Sequence, residues 1–199
     1  MNMHFRWLWL LLFSLFLTSC GYNEIQRLDE QVKSAWSQTL NQYERRADLV
    51  PKLVNSVDAF MTHEKEVLTE VTEARSRVGQ IRISADDLDN PALMERFAEA
   101  QGQLGSALSR LLAVAENYPQ LKSDSLFLDL LTQLEGTENR IATERGRYIQ
   151  AVQNYNVFIR QFPNVITAKV LGYPILENYG VDREDALRRD PEVRFGNSR

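Results

Sequence analysis

The sequence predicts an all-α fold, a bundle of long amphipathic helices. Apolar residues recur every three or four positions from Ile25 to Val78 and again over two later stretches, which places them on one face of a helix. No stretch of useful length shows the alternation of a half-buried strand. A chain of 199 residues is long enough for one domain with a sizeable core, and we predict no second domain.

The first helix is predicted over residues 24–78. Pro51 lies inside it, and proline removes a backbone donor and crowds the preceding turn, so we expect a kink there. The apolar stripe keeps its phase across the proline. We therefore predict one continuous, kinked helix rather than two helices, with its stripe formed by Ile25, Leu28, Val32, Trp36, Leu40, Tyr43, Ala47, Val50, Val54, Val57, Met61, Leu68, Val71 and Val78.

The later helices have clear start and stop signals. Asn90 is placed to cap the second helix and Pro91 to occupy its first turn. Gly102 and Gly105 weaken this helix but permit close approach of a neighbour. A third helix is predicted from about residue 121 to residue 162, followed by a short fourth helix over 165–171.

The first twenty residues resemble a bacterial lipoprotein signal. A short basic start precedes an apolar run over 7–17 that is interrupted by one serine, as in a secretory signal peptide. The run is shorter than the roughly 20 apolar residues that a membrane span needs. It ends in Leu17-Thr18-Ser19-Cys20, which resembles a lipobox and contains the sole cysteine of the chain.

We therefore predict lipidation of Cys20 with acyl chains such as palmitate, because two or more chains anchor a protein stably to a membrane. Gly21 rather than aspartate follows the cysteine, which favours an outer-membrane lipoprotein that faces the periplasm. The alternative is an uncleaved single-pass anchor in the inner membrane, with the bundle in the periplasm. The predicted segments are a signal peptide over 1–19, a bundle over 20–180 and a charged, extended or mobile tail over 181–199.

Composition argues against several functional classes. The net charge is −4 at neutral pH, whereas nucleic-acid-binding surfaces are usually basic, so we predict no nucleic-acid partner. His63-Glu64 resembles the start of a zinc-protease motif, but Val67 stands where its second histidine belongs. We therefore predict no metal and no cofactor. We expect His63 to be packed or partnered within the bundle, and it is also a possible partner-binding residue.

Two groups of polar residues are candidate contact sites for a partner. Arg46 and Asp48 lie beside Pro51, whose missing N–H leaves a carbonyl of the preceding turn without its helical donor. The alternative is a solvated helix face with local ion pairs, each worth under about 1 kcal/mol. Tyr155 and Asn156, near the end of the third helix, form a second candidate polar contact.

Catalysis is not predicted, although carboxylates recur on the first and third helices. Alternating charge on long helices is commonly a solvated surface, and nothing in the sequence indicates the concave pocket in which paired catalytic acids usually sit. We predict no catalytic residues. The alternative is an envelope hydrolase or transferase that uses His63 or these carboxylates, namely Glu70, Glu73, Glu135, Glu138 and Glu144.

Taken together, the motifs resemble the LemA family of bacterial envelope proteins. The similarity covers residues 22–195. Its main stretches are Val32-x-x-Ala35-Trp36, Arg45-Arg46-x-Asp48-Leu49-Val50-Pro51, Val71-Thr72-x-Ala74-Arg75, Glu138-x-Arg140-Ile141-Ala142, Tyr155-Asn156 and Pro191-x-Val193-x-Phe195.

The resemblance implies an up-and-down bundle of four-helix type, attached to the envelope outside the cytoplasm, with no known enzymatic activity or cofactor. Many members of the family keep an N-terminal membrane helix, whereas this chain has a shorter apolar run. We predict a lipid-anchored scaffold or adaptor with an unknown envelope protein as partner. Its contact surfaces would be the region around Arg46 to Pro51 and the tail residues Pro191, Val193 and Phe195; a structural homo-oligomer is a further alternative.

Overall fold

A computed structural model describes residues 3–61 and 63–177, with side chains from residue 21 onward. All regular structure in this part of the chain is helical, so the predicted all-α class is confirmed. Short 3-10 turns at Ala85–Asp87 and Leu121–Ser123 separate some of the helices. The five α-helices are α1 (Met3–Asp58), α2 (Lys65–Gln80), α3 (Pro91–Ala115), α4 (Ser125–Arg160) and α5 (Asn164–Leu171).

Several predicted features lie outside the described residues. They are the side chain of Cys20 and the whole tail over 181–199, including Pro191, Val193 and Phe195. Lipidation of the cysteine and partner binding by the tail therefore stay predictions. No helix whose residues are described in full is both long and apolar enough to cross a membrane.

The first predicted helix is two helices. Helix α1 continues through Pro51 as predicted, but it ends at Asp58, and α2 begins at Lys65. A single helix over 24–78 is therefore wrong, and the break lies at 59–64 rather than at the proline. The apolar stripe skips a whole turn between Met61 and Leu68, and folding back lets α2 bury its own apolar face, which a lone straight helix would leave in water. The kink at Pro51 stays a prediction.

The backbone defect at Pro51 is repaired by a side chain from α2. Proline has no N–H, so the carbonyl of Ala47, four residues earlier, has no intrahelical donor. The Nε of Arg75 donates a hydrogen bond to this carbonyl oxygen at 2.9 Å. The defect therefore links α1 to α2.

Capping side chains determine where α3 and α4 begin. The Asn90 side chain accepts a hydrogen bond from the N–H of Leu93 at 3.2 Å and Pro91 is the first residue of α3, which confirms that prediction. Helix α4 begins four residues later than predicted. The Asp124 side chain accepts from the N–H of Phe127 at 2.8 Å and fixes the start there.

The helices pack in two antiparallel pairs. Helix α4 lies along α1, with Glu138 beside Arg46 and Asn164, at the start of α5, beside Gly21. Helix α3 packs mainly against α2, and Arg110 pairs with Glu70 at 2.8 Å between them. Helices α3 and α4 are therefore neighbours, but they do not pack closely along their length.

The buried apolar residues form two clusters at different heights of the bundle. We call the cluster nearer to Gly21 the proximal cluster; it contains Ile25, Leu28, Val32, Trp36, Tyr43, Leu88, Met94, Phe97, Ile141, Tyr148, Val152, Tyr155, Ile159, Ala168 and Leu176. The distal cluster joins the second half of α1 to α2, α3 and the start of α4, through residues such as Leu49, Leu53, Val57, Met61, Leu68, Val71, Leu104, Leu108, Leu111, Leu121, Phe127 and Leu134.

Aromatic rings connect three helices within the proximal cluster. The ring of Trp36 lies 5.9 Å from Phe97 of α3 and 5.1 Å from Tyr148 of α4, measured between centroids. Tyr43 meets Phe97 edge-on at 5.4 Å. The hydroxyl of Tyr148 is buried without a hydrogen-bond partner among the described residues, and burial raises its pKa to about 12.

The link between Pro51 and Arg75 predicts an energetic coupling. Arg75→Met should lower the free energy of unfolding by about 1 kcal/mol, the usual net value of one hydrogen bond. In a Pro51→Ala background the loss should be smaller, because alanine restores an N–H for the carbonyl of Ala47. Denaturant unfolding of the four proteins measures the coupling. Arg77→Met, which removes another exposed arginine of α2, is the control; equal effects of Arg75→Met in both backgrounds would refute the repair.

Tyr148 predicts a loss of stability at high pH. The folded state holds the phenol proton up to a pKa of about 12, whereas an unfolded tyrosine releases it near about 10. The contribution is therefore present below about pH 10 and is lost as the pH rises through 12. Tyr148→Phe should flatten the decline of unfolding free energy above pH 10 and cause no loss at pH 7.

Tyr155→Phe is the comparison at pH 7, because its hydroxyl donates to the carbonyl of Pro174 at 3.0 Å. Its pKa is also raised to about 12, so this variant should flatten the alkaline decline as Tyr148→Phe does. This variant should lose about 1 kcal/mol at pH 7. Denaturant unfolding from pH 7 to 11.5 measures both effects. An alkaline slope that Tyr148→Phe leaves unchanged would contradict the assignment.

Candidate functional site

The described part of the bundle contains a buried arginine at mid-height. Arg46 follows Tyr43 on the inner face of α1, and only 5% of its surface is exposed. Its Nη2 donates to the backbone carbonyl of Gln101 at 3.1 Å and also to the Gln101 side-chain oxygen. Its Nη1 donates to the carboxylate of Glu138 at 2.9 Å. The guanidinium also lies 5.2 Å from the centre of the Tyr43 ring.

These partners form a polar layer between the two apolar clusters. Arg46, Gln101 and Thr137 are buried, and the neighbouring Glu138 is about half exposed. On each helix, the polar position falls between a residue of the proximal cluster and one of the distal cluster. Because a buried charge needs partners, the guanidinium fixes α1, α3 and α4 in register at this height.

An open groove of about 1,120 Å³ lies between α3 and α4 and extends to both sides of the polar layer. Tyr43 and Arg46 form its floor. Ile141 and Arg145 of α4 line the side opposite α3. The wall on the α3 side consists largely of small residues, namely Ala98, Gly102, Gly105, Ser106 and Ser109.

The two helical glycines leave that wall open. A Cβ added at Gly102 would meet nothing within 4 Å, and one at Gly105 would come only to 3.9 Å from Arg46. Among the described residues, nothing at either position requires a glycine for packing. The close approach of a neighbour that we predict at these glycines is therefore not made by any described residue of the chain.

One end of the groove is acidic and is closed by the segment after α5. The exposed side chains of Asp89, Glu95 and Glu177 line that end. Two basic side chains also line the groove. Arg145 lies on the α4 side, and Arg46, at the floor, is paired with Glu138. The Nε of Arg46 has no acceptor among the described residues. The rim at this end is therefore mainly negative.

Tyr155 and Asn156 hold the closing segment in place. The Asn156 side chain donates to the carbonyl of Leu176 at 2.7 Å and accepts from its N–H at 3.0 Å. Gly172, at φ 75°, ends α5 in the left-handed conformation that favours glycine and turns the chain toward α4. Both polar residues bond to this chain's own backbone. Burial, and then the charges of Asp29 and Tyr173, raise the pKa of Tyr155 to about 12.

The remaining predicted contact residues lie elsewhere. Asp48 and Pro51 are exposed on α1 and do not line the groove. His63 is exposed between α1 and α2, so the expectation that it packs within the bundle is wrong. Partner binding by these residues stays a prediction.

Three of the five candidate carboxylates are partners of arginines in the described structure. Glu70 pairs with Arg110, Glu138 with Arg46, and Glu144 with Arg147. No group of three or more His, Cys, Asp or Glu side chains within residues 21–61 and 63–177 is placed to hold a metal ion.

The sequence did not identify three residues as structural partners. Gln101 and Glu138 are the partners of Arg46, and Arg75 is the partner of the Ala47 carbonyl. The signal for Gln101 was present, because it follows Phe97 by four positions and precedes Leu104 by three on the apolar face. Glu138 and Arg75 gave no such signal. Their partners lie 92 and 28 residues away in sequence and are brought near only by packing.

The described chain is thus an all-helical protein with an open interhelical groove and a buried arginine as its floor. The profile of the LemA family matches residues 35–195, and the chain belongs to that family. It is 26% identical over 144 residues to the protein LemA of Metamycoplasma hominis, a match that covers 72% of this chain and 58% of that protein.

Magnetosome proteins are also similar over a shorter region. The chain is 38% identical over 80 residues to magnetosome protein MamQ 2 of Paramagnetospirillum magneticum, and 34% identical over 80 residues to magnetosome protein MamQ of Magnetospirillum gryphiswaldense. Each match covers 40% of this chain and 29% of the relative. The chain thus matches under a third of the length of these relatives.

The buried guanidinium predicts a large stability effect. Arg46→Met should lower the free energy of unfolding by about 2–4 kcal/mol, because it leaves the buried Gln101 groups unsatisfied. Glu138 is half exposed and regains water, which keeps the loss below that of a fully buried pair. Denaturant unfolding measures the change.

Arg110→Met is the matched control for this prediction. It removes an exposed arginine that also joins two helices through one carboxylate, and it should cost under about 1 kcal/mol. Equal losses in the two variants would show that the polar layer contributes no more than a surface pair.

Proposed function

We propose that this protein is a non-enzymatic adaptor of the bacterial envelope that binds a segment of a partner protein in the groove between α3 and α4. The observation that carries the proposal is the groove itself, with its wall of small residues and its fixed arginine floor. A groove of about 1,120 Å³ is at the upper limit of small-molecule sites. This size favours a polypeptide segment.

The glycines of α3 support this occupant. A glycine inside a helix lowers stability by roughly 1 kcal/mol relative to alanine. At Gly102 and Gly105 the described residues leave room for a Cβ, so packing within the described chain does not explain the glycines. Close approach of a partner backbone to α3 would explain why both positions are glycine.

The charge of the rim indicates the chemistry of the partner. Asp89, Glu95 and Glu177 are exposed at one end of the groove. Opposite charges across an interface speed association and set its register. We therefore propose a partner segment with basic side chains at the end that meets these acids.

Attachment to the membrane is part of the same proposal. The apolar run over 7–17 and the lipobox-like ending at Cys20 support a lipid anchor in the outer membrane, with the bundle in the periplasm. An uncleaved apolar anchor in the inner membrane would hold the bundle on the same side. The antiparallel pairs support an up-and-down arrangement of the four longest helices.

A photocrosslinking pair in living cells tests the groove. Benzoyl-phenylalanine is placed at Ser106, which lines the groove, or at Gln103, an exposed position of α3 outside it. The proposal predicts that a partner is captured only from Ser106 and that the captured peptide carries basic residues.

Purified components then test the contact directly. A synthetic peptide of the captured segment should bind the full protein, and Gly105→Trp should abolish binding while Gln103→Trp leaves it unchanged. Asp89→Lys with Glu95→Lys should weaken binding at least about threefold at low salt.

Three outcomes would overturn the proposal. They are equal capture from both positions, an adduct between Ser106 and a second copy of the protein, and an adduct with residues 178–199 of the same chain. The last would mean that the groove holds the protein's own C-terminal segment.

A further inference from the structure

A second surface, in the segment that follows α4, is apolar and exposed. Phe162 is 82% exposed, Ile166 56% and Val170 78%. Ile166 and Val170 are four residues apart on α5 and therefore lie on one face. Single exposed apolar residues are ordinary, but large ones that cluster mark an interaction surface. We call these three residues the α5 patch.

The α5 patch lies where α1 leaves the bundle. Asn164, the first residue of α5, contacts Gly21, and a Cβ added to that glycine would lie 2.7 Å from the Asn164 Oδ1. Helix α1 continues backward from Gly21 to Met3. The apolar run ends at Leu17, four residues before Gly21, or about 6 Å along the axis.

The charges around the α5 patch favour an anionic surface. From Arg160 to Leu176 the chain contains two basic residues, Arg160 and Lys169, and no acidic residue. Both basic side chains are exposed. The facing part of α1 contains Glu24, which is paired with Arg27, and Asp29, which is paired with Lys33 and whose charge acts on Tyr173.

We infer that the α5 patch is a membrane-contact surface, which inserts Phe162, Ile166 and Val170 into the headgroup–acyl boundary of an anionic bilayer. Exposed apolar side chains flanked by basic residues are typical of helices that lie in this boundary. The patch adjoins Gly21, the residue after Cys20, so a bilayer that holds either the acyl chains on Cys20 or the apolar run lies beside the patch. This inference rests on the membrane attachment proposed above, and it adds a second contact that sets the angle of the bundle to the membrane.

Site-specific photocrosslinking to lipid tests the inference. The full protein is reconstituted into vesicles of phosphatidylethanolamine and phosphatidylglycerol, with benzoyl-phenylalanine in place of Tyr22, Phe162 or Leu128. Tyr22 is 43% exposed and follows Cys20 by two residues, so it lies at the attachment point whether or not residues 1–19 are removed. Leu128 is an exposed apolar residue, 45% exposed, near the start of α4. It is about 50 Å from Phe162 along the helix. Intact mass reports lipid adducts.

The inference predicts lipid adducts from Tyr22 and Phe162 and none from Leu128. Arg160→Gln with Lys169→Gln should lower the Phe162 yield in these vesicles and have no effect in vesicles of phosphatidylcholine alone. Adducts from Tyr22 without adducts from Phe162 would overturn the inference and leave the attachment standing. An absence of lipid adducts at Tyr22 would overturn both, and a Phe162 adduct with a second protein copy would assign the patch to self-association.

Discussion

The guanidinium of Arg46 sets the arrangement of the three helices around it. Helix α3 packs mainly on α2, and α4 mainly on α1, so the two antiparallel pairs need a connection at the side where α3 faces α4. The aromatic contacts of Phe97 provide one connection and Arg46 the other. Because a buried cation that loses its partners is very unfavourable, this side of the bundle has one register in which Gln101 and Glu138 reach the same arginine.

The groove follows from that arrangement. Arg46 holds α3 near α1 at the floor of the groove. The small residues of the α3 wall do not reach α4, so a space that is open to solvent remains between the two helices. The Pro51 defect lies less than two turns away on α1 and is bonded by Arg75 from α2. Within the polar run from Arg45 to Pro51, Arg46 therefore faces inward, whereas Asp48 and Pro51 remain on the surface.

Helix class and most helix ends follow from local chemistry, and for that reason the sequence predicts them. The Asn90 cap and the apolar stripes of α3 and α4 need only neighbours within a few residues. The break between α1 and α2 was missed because no glycine or proline marks it, and burial of α2 against α1 decides it. The site was predicted in part: Arg46 was a candidate, but its burial depends on Gln101 and Glu138, 55 and 92 residues away.

Amide hydrogen exchange of α3 tests the central role of Arg46 most directly. If the guanidinium fastens α3 to the pair formed by α1 and α4, Arg46→Met should raise exchange across Pro91–Ala115 while the facing parts of α1 and α4 keep most of their protection. Arg110→Met, which cuts an exposed link of the same helix, should leave the pattern close to that of the unaltered protein. Unchanged exchange in α3, or an equal rise in all helices, would contradict the account.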